Sequence, residues 1–472
     1  MTLGNASSQL TTRWFLLTAA VVASAAIALH SPGHVSMDTS VELYEAYLGR
    51  SVSWNPPFMS ALMRWLGGGE LATAGLVWIN SLVTYLSLAL VAGSALRARR
   101  DLGLPTLSWW RVLLCLCLIL NPIVFLYVGI VWKDVLFGSS LIAAIALAVA
   151  AATADGRRAW CYAIASMIVL AAAASIRQQG VFMAPVLALL PLMAMVRDRG
   201  LAKRQCRVSI AALLAVFVLG VAGFGFAVSR TIVKSGDQSS SVGFRSIMNF
   251  DIAGIVSRMT STTEVLPVPI TEAERTAMRT TYSATRVDYL SSNPVVTHWL
   301  DGMSDVQRRQ EWWLLVQSQP KAFLAHRFAV FGYILDIPGI AHALPIHIGV
   351  DGNVDYLKQV GMSEQRGARA ATVYGIASSF FAWPIYRHWF YLLALAIGAW
   401  AIRRATLPSR LKAMSYVVAI AAGLFYLSYL PTGISSDFRY LYGNVLLVTA
   451  LWLILLAGSR TPPATTMVSA GE

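Results

Sequence analysis

Ten long apolar runs recur along the chain, at about 14–29, 71–96, 109–130, 135–152, 160–175, 181–196, 209–228, 388–402, 415–430 and 440–456. They are continuous rather than alternating, so they read as helices and not as strands of a barrel. Only helices and closed barrels satisfy every backbone polar group inside a bilayer. A further apolar piece, 328–350, is interrupted by Asp336, Pro338, His342, Pro345 and His347 and reads as interfacial or re-entrant. Paired with 371–383, it would raise the count to twelve. Either count leaves both termini on one side. The pattern therefore predicts an all-α, polytopic membrane protein of about ten transmembrane helices, or twelve.

Composition agrees and charge adds an orientation. Of 472 residues, 57% are hydrophobic and 13% charged, and mean hydropathy is +0.60. An ordinary soluble domain carries about 25% charged residues, so a water-soluble enzyme is excluded. The formal net charge of +14 would suggest nucleic acid in a soluble protein, but here it must first be divided between two faces. Seventeen of the 37 basic residues but only four of the 23 acidic ones fall on the side holding the termini. The other side is nearly neutral. By the positive-inside rule the termini are cytoplasmic and the near-neutral side faces outward. The expected location is the cytoplasmic membrane, with no nucleic-acid partner. Only Arg13 precedes the first run, which reads as a retained span rather than a cleaved leader.

Two outer segments exceed what a connector needs, which divides the chain into three parts. Residues 1–229 form an N-terminal membrane core with a long first outer loop, 30–70. Residues 230–387 form a large outer insertion, and 388–472 the last spans and tail. In the first loop, Val41, Tyr44, Tyr47 and Leu48 fall on one face of a short amphipathic helix over 39–48, and Thr39 and Glu42 form a capping box. Trp54, Phe58, Leu62 and Trp65 make a second stripe; such stripes usually lie in the headgroup layer. His30 and His34 are four apart, but Pro32 and Gly33 break the helix that would align them.

The informative outer charges sit close to span ends. Asp38 follows the first run, Lys133-Asp134 sits in a very short loop, Arg177-Gln178-Gln179 joins two spans, and Asp437-Phe438-Arg439-Tyr440 joins the last two. Lys133, Arg177 and Arg439 should therefore lie near headgroup depth, where three cations around one cavity would suit a phosphate. Plainer roles stand beside these. Asp38 would support a helix start, Lys133 and Asp134 would be a helix-start pair, and Arg177 and Arg439 would reach toward lipid headgroups.

This order of features resembles the GT-C superfamily of integral-membrane glycosyltransferases. An acidic residue and a surface helix lie in the first outer loop, K-D and R-Q-Q in short outer loops, a large insertion after span seven, and D-F-R-Y before the last span. The resemblance implies that Asp38 is the catalytic base of an inverting transfer from a polyprenyl-phosphate sugar to a hydroxyl of a lipid, glycan or protein acceptor. It implies that Lys133, Arg177 and Arg439 bind the donor phosphate, and it makes Tyr44, Tyr47 and Trp54 candidates for stacking on sugar faces. Many members carry a second acidic motif after span three, where this chain has only Asp134, so no cofactor or divalent metal is expected. A transporter or flippase for a lipid-linked sugar, a polysaccharide polymerase or ligase, and a non-catalytic scaffold are the alternatives. A flippase would need neither Asp38 nor the large insertion.

Overall fold

The computed structural model describes residues 3–196, 202–234, 241–259 and 269–459. Its helices run, in the N-terminal half, α1 (Leu3–His30), α2 (Met37–Leu48), α3 (Phe58–Trp65), α4 (Gly69–Asp101), α5 (Trp109–Ile119), α6 (Pro122–Tyr127), α7 (Lys133–Ala152), α8 (Gly156–Ile176), α9 (Gly180–Val196) and α10 (Lys203–Thr231). The large insertion supplies α11 (Ser241–Val256), α12 (Glu272–Thr281), α13 (Pro294–Asp301), α14 (Asp305–Ser318), α15 (Pro320–Ile334), α16 (Val354–Gln359) and α17 (Ala368–Ser379). The chain returns through α18 (His388–Arg404), α19 (Ser409–Thr432) and α20 (Tyr442–Gly458).

The protein is a multi-pass, all-helical membrane protein, and each expected span corresponds to helix. Among the described residues, eight stretches are long and apolar enough to cross a bilayer. The other two, α9 and α18, have 17 residues each, below the roughly 20 that a typical hydrocarbon core requires. The run 109–130 is two helices, because Pro122 cannot continue α5. Asn121 instead caps α6 by accepting from the Ile123 amide at 2.9 Å. Of the charges used for orientation, Arg197, Asp198, Arg199, Arg460 and Glu472 lie outside the described residues.

α7 and α20 form the centre of the bundle and α1, α4, α8 and α9 surround them. The burial pattern follows: 83% of the α7 window and 89% of the Phe438–Gly458 window are enclosed, against 6% for α10, which faces outward on nearly every side. A lipid-facing helix can be apolar all round without being buried.

The segment 328–350 does not span. α15 ends at Ile334, and the chain then threads back over the top of the bundle. The Tyr127 hydroxyl donates to the Pro345 carbonyl at 2.9 Å, and Val350 bridges Val35 of the first outer loop. With α15 at 15 residues and α17 at 12, the twelve-span alternative does not hold. The insertion is tied to the bundle rather than free of it. Arg327 donates to the Gly433 carbonyl at 2.9 Å and Val287 N–H to the Ile434 carbonyl at 2.8 Å.

Candidate functional site

The loop after α1 is positioned by backbone pairing with two segments far away in sequence. His34 N–H donates to Gly129 and Val131 N–H to His34, both at 3.0 Å; Val35 N–H donates to Gly349 and Asp351 N–H to Val35, both at 2.9 Å. Residues 34–35 thus lie between 129–131 and 349–351. The close fit needs glycine: a Cβ at Gly129 would come within 2.1 Å of His30 Cγ, and Gly33 turns the chain at φ +115°.

The two histidines do meet, contrary to expectation. The turn after α1 folds His34 back so that its Nε2 lies 3.1 Å from His30 Nδ1. His34 Nδ1 accepts the Gly349 amide at 3.1 Å, so Nε2 carries the proton and donates to His30. Burial, with His30 and His347 nearby, pushes the His34 pKa down to about 3. It is a neutral fastener. Among the described residues no group of three or more His, Cys, Asp or Glu side chains could hold a metal ion.

α2 begins one turn earlier than the sequence implied. Its N-cap is Ser36, which places Asp38 in the first turn and Thr39 and Glu42 inside the helix. The expected capping box is therefore absent. Thr39 Oγ1 donates to the Val131 carbonyl at 2.6 Å, and Ser36 Oγ accepts from Trp132 Nε1 at 2.8 Å.

The face of α2 that packs against the protein is not its apolar stripe. It carries Thr39, Glu42, Leu43, Glu45 and Ala46, because each carboxylate has dedicated partners. Glu45 Oε1 accepts the Val52 and Ser53 amides at 2.8 and 2.7 Å, and Oε2 accepts Ser60 Oγ at 2.6 Å. Asp38, Glu42 and Glu45 are spaced i, i+4, i+7 and share one helix face.

That face meets the other short outer loops. Arg439 reaches Asp38 at 2.5 Å and Asp437 at 3.3 Å, with its guanidinium carbon 4.8 Å from the Trp132 ring centroid. Lys133 lies 3.6 Å from Glu42. Arg177 pairs with Asp134 and donates to the Tyr429 hydroxyl at 3.1 Å. Arg286, from the insertion, pairs with Asp437. The four charged residues singled out from sequence, Asp38, Lys133, Arg177 and Arg439, thus fall in one cluster.

Their accessibility separates them. The Asp38 side chain is 40% exposed, whereas Glu42, Asp134 and Asp437 are at 2% or less. Arg177 is 7% exposed, Arg439 11% and Lys133 16%. Burial pushes the Asp38 carboxyl up, but Arg439 and Lys133 more than reverse this and hold it below the usual carboxylate range. Glu42 goes the other way. Burial dominates there, with Lys133 only partly offsetting it, and its pKa rises to about 7. One helix face thus carries an ionised, accessible carboxylate and, one turn away, a buried one that titrates near neutrality.

The aromatic candidates stand apart. Tyr44 and Tyr47 lie about 120° and 180° around α2 from Asp38. Tyr44 stacks on Tyr356 at 4.0 Å between ring centroids, Tyr47 points outward at 58% exposure, and Trp54 packs at Gly243 of α11. Sequence reading missed Glu42, Asp437, Trp132 and Arg286 as members of the cluster. For Glu42 a signal existed, its i+4 spacing from Asp38; Arg286 had none, because only the folded insertion brings it to Asp437.

No protein-family model matches this chain, and no curated protein sequence matches it. Among solved structures it is similar to ArnT from Cupriavidus metallidurans in the apo state. Identity there is 14%, over 94% of this chain and 77% of that one, with a TM-score of 0.33. The crystal structure of the same protein bound to undecaprenyl phosphate matches at 15% identity, over 94% and 78%, also with a TM-score of 0.33.

Proposed function

We propose that the protein is an inverting glycosyltransferase that moves a sugar from a polyprenyl-phosphate donor to an acceptor hydroxyl at the outer face of the cytoplasmic membrane. The observation that carries this reading is the accessibility of Asp38. It is the open carboxylate in a cluster whose other carboxylates, Glu42, Asp134 and Asp437, are sealed and paired, and it stays ionised beside Arg439 at 2.5 Å. A purely structural ion pair would gain nothing from leaving its acid open.

In the reaction the acceptor oxygen attacks the anomeric carbon while Asp38 takes its proton. The bond from that carbon to the phosphate oxygen breaks, and the polyprenyl phosphate leaves with the electron pair. Arg439 and Lys133 face the same side as Asp38 and would stabilise the developing phosphate charge. Arg177, held by Asp134 and Tyr429, supports their field from behind and touches the donor only if Asp134 releases it. No step calls for a metal.

The test uses purified full-length protein with labelled polyprenyl-phosphate sugars and membrane extract as acceptor source. Wild type transfers label, and Asp38→Asn lowers the rate by about 10²–10⁴-fold with unchanged expression and thermal midpoint. Normal transfer by Asp38→Asn sinks the catalytic assignment. Movement of the lipid across liposomes without any transfer favours the flippase instead.

A further inference from the structure

The opposite end of the bundle holds a second concentration of charge that the transfer reaction does not use. α7 is 20 residues long, so its far end lies about 30 Å from Lys133. There the turn between α7 and α8 meets the last turn of α4 and the N-terminal part of α1, and they enclose a cavity of about 900 Å³. Arg13, Arg97, Arg100, Arg157 and Arg158 line it, against only Asp101 and Asp155.

Arg100 has a loose surface partner in Asp101 at 3.7 Å. The remaining four arginines make no salt bridge with a carboxylate among the described residues. Orientation by the positive-inside rule needs basic residues somewhere on a face; it does not need three separate elements to aim them into one recess, where they repel one another. An anion in the recess removes that repulsion.

The surroundings point to a lipid as its source. Leu10, Trp14, Leu17 and Val21 form an exposed apolar stripe on α1, from 53% to 59% accessible, and it starts level with Arg13. Acyl chains can lie along that stripe while the headgroup enters the cavity. Guanidinium groups bind phosphate oxygens bidentately, and basic pockets between membrane helices are suited to anionic headgroups.

We propose that this cavity binds the phosphate-bearing headgroup of an anionic membrane lipid. Purified full-length protein in detergent is titrated with dioleoylphosphatidylglycerol, dioleoylphosphatidylcholine or inorganic pyrophosphate, and bound ligand is counted by native mass spectrometry. Wild type binds phosphatidylglycerol in preference to phosphatidylcholine, and pyrophosphate at the same concentration does not displace it. Arg97→Gln/Arg157→Gln weakens that binding about tenfold or more. Arg403→Gln/Arg404→Gln, which removes the same charge outside the cavity, leaves it unchanged. Equal weakening in both double variants, or equal binding of the two lipids, overturns the site. Pyrophosphate bound where no lipid binds overturns the lipid assignment in favour of a soluble phosphate. Both arginines of the first pair are exposed, and an unchanged elution volume and thermal midpoint confirm that the variant is folded.

Discussion

The two ends of this helix bundle each gather several basic residues and treat them in opposite ways. At the Asp38 end, the cations are mostly enclosed and each has a carboxylate: Arg177 with Asp134, Lys133 with Glu42, Arg439 with Asp38 and Asp437. At the other end, four of the five cavity arginines have none among the described residues and are exposed. The number of positive charges does not distinguish them; the counter-ions do. A buried cation must be neutralised by the protein, because removing charge from water costs several kcal/mol. An exposed one is left to water or to a ligand.

The largest effect on stability should come from breaking a sealed pair. Arg177→Ala leaves Asp134 buried without a counter-ion and is expected to cost about 3–5 kcal/mol, read as a large fall in thermal midpoint. Replacing both partners with apolar residues of similar size should recover much of that loss. If Arg177→Ala is as stable as wild type, the Asp38 end is no more sealed than the cavity end.

Next is Glu45, which fastens the outer loop through two amides and two hydroxyls. Glu45→Ala should cost about 2–3 kcal/mol and raise protease sensitivity between residues 50 and 60, while the Arg97→Gln/Arg157→Gln variant keeps wild-type sensitivity.

Glu42 sharpens the contrast through pH. Its pKa is raised from 4.5 to about 7, so the folded state holds its proton more tightly than the unfolded chain does. Its contribution to stability is full below about pH 4.5 and is lost as pH rises through about 7. Thermal midpoints measured from pH 5 to 8 should fall more steeply for wild type than for Glu42→Gln. Asp38 shifts in the opposite direction. It stays ionised throughout that range, and what it contributes is lost only in stronger acid, so it adds no slope.

The smallest effect is expected at the open end. Arg97→Gln/Arg157→Gln should change stability in lipid-free detergent by less than about 0.5 kcal/mol, because no ion pair is lost. A large change there would mean that the cavity arginines carry structural contacts.

The membrane fold was legible because a bilayer imposes one rule on every span: continuous apolar sequence with backbone bonds satisfied within the helix. That rule located helix at each of the ten apolar runs, and the fold gathers Asp38, Lys133, Arg177 and Arg439 into one cluster. The rest depended on partners remote in sequence. The start of α2, the burial of its acidic face, the meeting of His30 with His34 and the return of 345–350 to Val35 all follow from contacts that periodicity cannot express. Periodicity singles out Val41, Tyr44 and Tyr47 as the interfacial stripe because it ranks residues by apolarity. The fold instead buries Glu42 and Glu45, because Lys133, Ser53 and Ser60 are there to meet them. What the sequence determined by itself was a multi-pass helical protein and the short segments between its apolar helices that carry charged residues. Which of those charges are sealed and which left open was decided only by tertiary structure, since a charge tolerates burial only where another segment delivers its counter-ion.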